Sequence, residues 1–400
     1  MVKPTGSGQG AVVVVKTAAC VALALGAAGM AVAGVSDELI RDLPADLKVL
    51  YKDAPQTIHP SAFDDFKAVK GPLKWCHSES YQGNPWRVSL AQELKRLVLS
   101  TPGASFEMAD SNGDVSQQIS QIRTFIDKKC SVISSVPGSA TALNEAVAAA
   151  YKAGIPFVTA AGSVSSPYAL NVDSNFGAWG YDMMKAIAKE LGGKGSVLMV
   201  EGIAGNPIVA QERQGADRAL AEHPGLKLAR VVNGNWTANV TKTVVLQALA
   251  THPGPIDAVW TAGSESRVVA EAFAQAGRPA PLITGSVTGD AIGYWKANPS
   301  KYRFAGHGVW PQWTGQTLYR AAMRLLDGQK PRLNTLMLPL PVVGMKDLAN
   351  MHKPCMTADA VSVFPTLPSD PVPERIFDAY FRNPAPTRNW DYAKAPSACP

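Results

Sequence analysis

The chain has 400 residues, of which 46% are hydrophobic and 18% charged, and carries a formal charge of +6. That is a globular composition with ample core and length for two domains. Lys and Arg form no run or stripe, which argues against nucleic acid as a partner.

The N-terminal stretch carries Lys3 and Lys16, then runs uncharged from Thr17 to Ser36, with Ala31-Val32-Ala33 as a small-x-small cleavage pattern. Residues 1–33 are therefore expected to be a secretory signal peptide, directing the protein to the periplasm. An uncleaved anchor is the other reading, because the uncharged run approaches spanning length. Ala and Gly rather than Leu fill that run, which makes a weak anchor. Cys20 suggests lipid attachment, but Lys16 interrupts the apolar run that such a site needs. No other segment has the length and apolarity to span a membrane.

Residues 34–71 read as a short helix and a lead-in, with prolines at 44, 55 and 60. A strand–helix alternation then begins. PLKWCHS reads as a strand, and WRVSLAQELKRLVLS has apolar residues at helical spacing. ASFEMAD, CSVISSV and IPFVTAA read as further strands. SQQISQIRTFIDKK and ALNEAVAAAYKAG read as the helices between them, the second ending at the C-cap Gly154. The pattern restarts with the helix WGYDMMKAIAKELGG. The strands GSVLMVEG, LKLARVVNGNW, DAVWTAG and APLITGS follow, with helices between them. Repeated βαβ units predict two parallel sheets with helices on both faces. From about Asn334 the chain is Pro-rich and reads as ordered but irregular wrapping. The aromatics Phe377, Tyr380, Phe381, Trp390 and Tyr392 are too many for a disordered tail.

Cys76, Cys130, Cys355 and Cys399 lie beyond the leader, and sequence alone allows three pairings. Cys355–Cys399 is favoured because both lie in the C-terminal segment. Cys76, inside one strand, and Cys130, opening another, read as buried free thiols. No CxxC or His-rich spacing indicates a metal, and no nucleotide or cofactor fingerprint is present, so no cofactor is expected. The six histidines are scattered. His77 and His307 fall near strand ends without an identifiable acidic partner. G-x-S-x-G, G-x-x-x-x-G-K-[ST] and HExxH are all missing, so catalysis is not expected.

The pieces GNPWR, QQISQIRTFIDKKCSVI, AVAAAYKAGIPFVT, NVDSNFGAWG, LGGKGSVLMVEGIAG and HPGPIDAVWTAGSES each carry little specificity, but their order and spacing do. Over about residues 72–335 the chain resembles the type I periplasmic solute-binding proteins of ABC importers, in the ribose-binding-like, sugar-binding branch. The resemblance implies two doubly wound parallel-sheet lobes joined by a three-stranded hinge, closing on a solute in the cleft. It places residues 72–173 and 310–340 in the N-terminal lobe and 174–309 in the C-terminal lobe. Residues 341–400 become an extension packed on the lobes. The resemblance implies a monomer whose partners are a small-molecule solute, sugar or polyol in class, and a membrane ABC permease. A ligand-sensing subunit of a chemoreceptor or histidine kinase uses the same closed lobes and stays open as an alternative. An enzyme on the same fold is less favoured. A lactose-repressor-like regulator needs a DNA-binding helix-turn-helix where the export signal stands.

Ligands of doubly wound sheets sit outside the carboxyl ends of the strands, where GNPWR falls. By the resemblance, Asn84 hydrogen-bonds a ligand hydroxyl and Trp86 stacks on its apolar face. Pro85 fixes the helix entry. Arg87 replaces a second aromatic with fixed donors. The Asp-Arg clamp of ribose-like members is replaced by Ala161-Gly162-Ser163, leaving Ser163 as a donor. Glu201 accepts from hydroxyls or makes a hinge-side salt bridge. Arg213 stands two residues before Gly215, where the family has three. Trp236 covers the ligand or plugs the interlobe surface. Ser264 takes over a lost Asn-Asp contact. Ser286 replaces an aspartate, and Trp310 a glutamine or else a packing residue. The cleft should be poorer in Asp, Asn and Arg than the family norm and bordered by tryptophans.

Overall fold

The computed structural model describes residues 35–400 apart from Ala262, 367–371, Asn389, 392–397 and Pro400. The expected leader with its cleavage pattern, Cys20 and Tyr392 lie outside the described residues. Among the described residues no helix is long and apolar enough to cross a membrane.

A short helix α1 (Ala45–Lys48) precedes the first α/β unit. That unit runs β1 (Lys74–Glu79), α2 (Pro85–Leu99), β2 (Ser105–Asp110), α3 (Val115–Asp127), β3 (Val132–Val136), α4 (Asn144–Lys152), β4 (Phe157–Ala160) and β5 (Ala169–Ser174). The second runs α5 (Phe176–Glu190), β6 (Lys194–Glu201), α6 (Pro207–Glu222), β7 (Gly225–Asn233), α7 (Ala238–Thr251), β8 (Ala258–Thr261), α8 (Ser266–Gln275), β9 (Leu282–Ser286), α9 (Gly289–Ala297) and β10 (Arg303–His307). The chain then returns through α10 (Pro311–Leu326) and β11 (Thr335–Leu338) to β12 (Val342–Gly344), α11 (Met345–Met351) and α12 (Glu374–Ala379).

The strands form two six-stranded sheets, ordered β11-β5-β4-β3-β1-β2 and β12-β10-β9-β8-β6-β7. The first is parallel throughout. In the second, β12 alone runs antiparallel, along β10. Helices cover both faces, so the central strands β3, β4, β5, β8 and β9 are buried along their whole length. The chain passes between the sheets after β5, after β10 and after β11, which gives the two lobes three connections.

Short polar side chains start the helices that face the cleft. The Asn84 side-chain Oδ1 accepts from Arg87 N, with Pro85 at the first helical position of α2. Asn175 and Asn206 cap α5 and α6 in the same way, and Thr288 caps α9. Helices α5 and α6 touch through glycines. A Cβ on Gly180 would strike the Glu212 carbonyl, and one on Gly215 the Gly177 carbonyl. This close approach brings Trp179 and Glu212 to one place.

Four strands escaped the sequence reading: β5, β10, β11 and β12. They are three to six residues long, and β5 and β10 carry polar or charged residues (ALNVDS, RFAGH). Several of their polar groups are held by tertiary contacts that no local pattern shows. Asn171 Oδ1, for example, accepts from Val164 N, while its Nδ2 donates to Val164 O. The segment after Asn334 is accordingly more regular than it reads. Leu348, Met356 and Phe364 join the core of the second lobe. Val372, Phe377, Tyr380 and Phe381 join that of the first.

Cys76 and Cys130 are not free thiols. They form a disulfide with Cα atoms 6.0 Å apart, and Cys355–Cys399 forms a second at 5.9 Å. Strand β1 lies beside β3, pairing Trp75 with Val132, and Cys130 stands just before that register begins. Sequence separation hides this proximity.

Candidate functional site

A cavity of about 130 Å³ lies where the carboxyl ends of both sheets converge. That is below the ~300–1,000 Å³ of drug-sized pockets and suits a small solute. The first lobe contributes Asn84, Trp86, Arg87 and Ala161. The second contributes Phe176, Trp179, Glu212, Trp236, Ser264, Glu265, Arg267, Ser286, Thr288 and Asp290. Val309 comes from a hinge connection, and Val361 and Phe364 from the C-terminal segment.

Six of the ten residues singled out in the sequence line this cavity: Asn84, Trp86, Arg87, Trp236, Ser264 and Ser286. Trp86 donates its indole N–H to Val309 O at 2.8 Å, tying α2 to the hinge. It packs against the cores of both lobes. Arg87 is buried, with its guanidinium donating to Glu79 Oε1 at 2.5 Å and Ser80 Oγ at 2.8 Å. Trp236 stands in a left-handed turn, with φ +54° at Asn235 and +51° at Trp236. A bulky residue seldom adopts that conformation, and such strain gathers at ligand clamps. Its ring rests on Gly202 and Gly263, where any Cβ would collide with the indole.

The other four lie outside the lining. Ser163 Oγ donates to Asp173 Oδ2 at 2.6 Å, within the first lobe. Glu201 and Arg213 pair with each other at 3.1 Å, and Arg213 also holds Asp217 at 2.7 Å. Trp310 is buried in the second-lobe core. His77 and His307 do have acidic neighbours, Glu79 at 3.5 Å and Asp182 at 3.6 Å, but neither histidine lines the cavity.

The lining residues passed over in the sequence are mainly Phe176, Trp179, Glu212, Glu265, Arg267 and Asp290. Helical phase is the missed signal at Glu212. Arg213 lies one residue from the family's spacing, and one residue turns a helix by about 100°. Glu212 thus faces the cavity, and Arg213 faces the exposed Asp217.

Glu212 is 1% exposed, and its Oε2 has no hydrogen-bond partner. Burial, and then the charges of Glu265 and Glu201, push its carboxyl well above the ordinary range. Burial and the nearby Asp290 push the Glu265 carboxyl from 4.5 up to about 7, against backbone hydrogen bonds that lower it. The neighbouring groups are Glu212, Asp290 and Arg267. A native pKa raised above the unfolded value gives stability that is present below the unfolded value and lost as pH rises through about 7. The unliganded protein should therefore melt lower at pH 8 than at pH 5.5. Glu265→Gln should flatten that slope in a thermal-unfolding series. Equal slopes in both proteins would remove Glu265 as its source.

The model of the family described as periplasmic binding protein domain matches residues 78–330. A curated relative, the xylitol-binding protein of Mycolicibacterium smegmatis, is 29% identical over 177 residues. That alignment covers 44% of this chain and spans about half, 51%, of the relative's length. Among solved structures, an ABC transporter solute binding protein from Thermobispora bispora is 25% identical, with a TM-score of 0.65 over 71% of this chain and 90% of its own. A solute binding protein from Bacillus halodurans with bound myo-inositol shares the fold at 19% identity and a TM-score of 0.63, over 70% and 98% of the two chains. With two parallel-sheet lobes around one cavity and a family match across well over half its length, the chain belongs to the periplasmic binding protein domain family, in its two-lobed type I form.

Proposed function

We propose that this protein is the extracytoplasmic solute receptor of an ABC-type importer, holding a sugar or polyol between its lobes and presenting the closed form to a membrane permease. One observation carries the reading. A small cavity takes its walls from the strand ends of both lobes, with aromatic faces and a few polar groups. The relatives' own ligands, xylitol and myo-inositol, support that solute class. In this reading the Asn84 oxygen is spent on the helix cap, and its Nδ2 meets a ligand hydroxyl. Trp86 and Trp236 supply apolar faces from opposite lobes. Ser264, Ser286 and Thr288 supply hydroxyls. Ser163, Glu201, Arg213 and Trp310 act on the frame. Binding needs no bond-making step, and the ligand shifts open forms toward the closed one.

A thermal-shift screen of pentoses, hexoses and alditols, followed by titration calorimetry, tests the reading. Small-angle scattering should then show a smaller radius of gyration with the bound solute than without it. An unchanged profile would contradict closure. Trp86→Ala should weaken binding by about 1–3 kcal/mol, the scale for losing a buried apolar side chain. Unchanged affinity would remove Trp86 from the site.

A further inference from the structure

The cavity holds more carboxylates than free cations. Both of its arginines are committed. Arg87 pairs with Glu79 at 2.5 Å, and Arg267 pairs with Asp290 at 2.7 Å and with Glu271. Asp290 is thereby neutralised. Among the described residues no cation stands in ion-pair contact with Glu212 or Glu265, which are 1% and 8% exposed. After burial itself, the Glu265 charge is the next cause that raises the Glu212 carboxyl.

We infer that the solute carries a cationic nitrogen on its sugar- or polyol-like frame, an ammonium group held by Glu212 and Glu265 among the tryptophans. The inference rests on the proposed receptor reading and narrows its solute class to amino sugars and amino alditols. An isolated carboxylate is costly to bury, and it resolves that cost by taking up a proton or by pairing with a cation. A neutral hydroxyl satisfies an oxygen lone pair but leaves the negative charge in place. An ammonium group does both, through charge-assisted hydrogen bonds.

The aromatic walls fit the same ligand. A Cβ on Gly263 would sit 2.5 Å from Glu265 Oε2 and 2.6 Å from Trp236 Cδ1, so carboxylate and indole flank one spot. Trp179 and Trp86 add two further rings to the lining. Tryptophan faces attract cations, most strongly where water is excluded. Among the described lining residues, Glu212 and Glu265 are carboxyl groups to which no arginine of the cavity is paired.

Calorimetry on matched pairs tests this: glucosamine against glucose, galactosamine against galactose, and 1-amino-1-deoxysorbitol against sorbitol. The aminated member of at least one pair should bind about tenfold tighter or more, the scale of one charge-assisted hydrogen bond. Glu212→Gln should erase that advantage, so that the aminated and neutral members of the pair bind the variant equally. Glu265→Gln provides the same test if the first variant fails to fold. Equal or tighter binding of the neutral members would overturn the inference and leave the receptor reading standing. Silence of all pairs while a neutral sugar or alditol binds in the screen would do the same. Silence of every aminated and neutral compound would overturn the receptor reading and this inference together.

Discussion

Phe377→Ala is expected to destabilise the protein by about 3–5 kcal/mol, the upper range for large-to-small core substitutions. The ring is fully buried in the first-lobe core, although it lies beyond the family match at residues 78–330. Two fully buried guanidiniums rest on it. Arg320 lies 4.3 Å and Arg324 4.7 Å from the ring centroid. Arg320 also donates to Val372 O at 2.9 Å, and Arg324 pairs with Asp378 at 2.5 Å. These arginines belong to α10, which packs against α2 just behind the cavity's first wall. Losing the ring leaves a void and strips both cations of an aromatic face. Urea unfolding measures the effect. A shift below about 0.5 kcal/mol, ordinary for a surface substitution, would mean the C-terminal segment is not part of the core.

Much of this fold was legible because doubly wound lobes repeat one local pattern. Strands such as VISSV and SVLMV and amphipathic helices such as QISQIRTFID announce themselves by period. The turn Asn84-Pro85-Trp86-Arg87 announces itself by position, since a strand end opening a helix through a cap and a proline sits at the cavity in this architecture. What stayed hidden is nonlocal. The hinge strands β5, β10 and β11 are short, and β5 and β10 carry polar residues whose partners are remote. The Cys76–Cys130 bridge depends on β1 lying beside β3. Trp310 resembles a cleft tryptophan in sequence but turns into the second-lobe core. Glu212 was masked by its neighbour Arg213, because a one-residue change in helical phase exchanges a cavity group for a surface ion pair. Val361 and Phe364 reach the cavity from a segment with no period at all. That Glu212 and Glu265 lack a cationic partner was invisible, because it depends on which arginines are already paired.

The double substitution Cys355→Ser, Cys399→Ser is expected to lower the free energy of unfolding by about 4 kcal/mol, the chain-entropy value for a loop of this length. The cysteines are separated by 44 residues, and the loop they close does not stay on one lobe. Cys355 and Ala398 pack against the second-lobe core beside Met356 and Phe364. Between them in sequence, Val372, Phe377, Tyr380 and Phe381 lie in the first-lobe core. The Tyr380 hydroxyl donates to Met337 O on β11 at 2.6 Å. The bond therefore closes a covalent ring through both lobes, in addition to the three hinge connections. Its loss should act on two observables. The urea midpoint should fall, and the unliganded protein should show a larger radius of gyration in scattering, because one restraint on lobe separation is gone. Substituting both cysteines leaves Cys76–Cys130 intact, which reduction with a thiol would not. Non-reducing peptide mapping of the parent protein must first recover a Cys355–Cys399 peptide. A recovered bridge with an unchanged midpoint would show that the native packing of Phe364 and Phe377 already holds the segment without it. A lower midpoint with an unchanged radius would confine the bridge to stability and leave the hinge governed by its three connections alone.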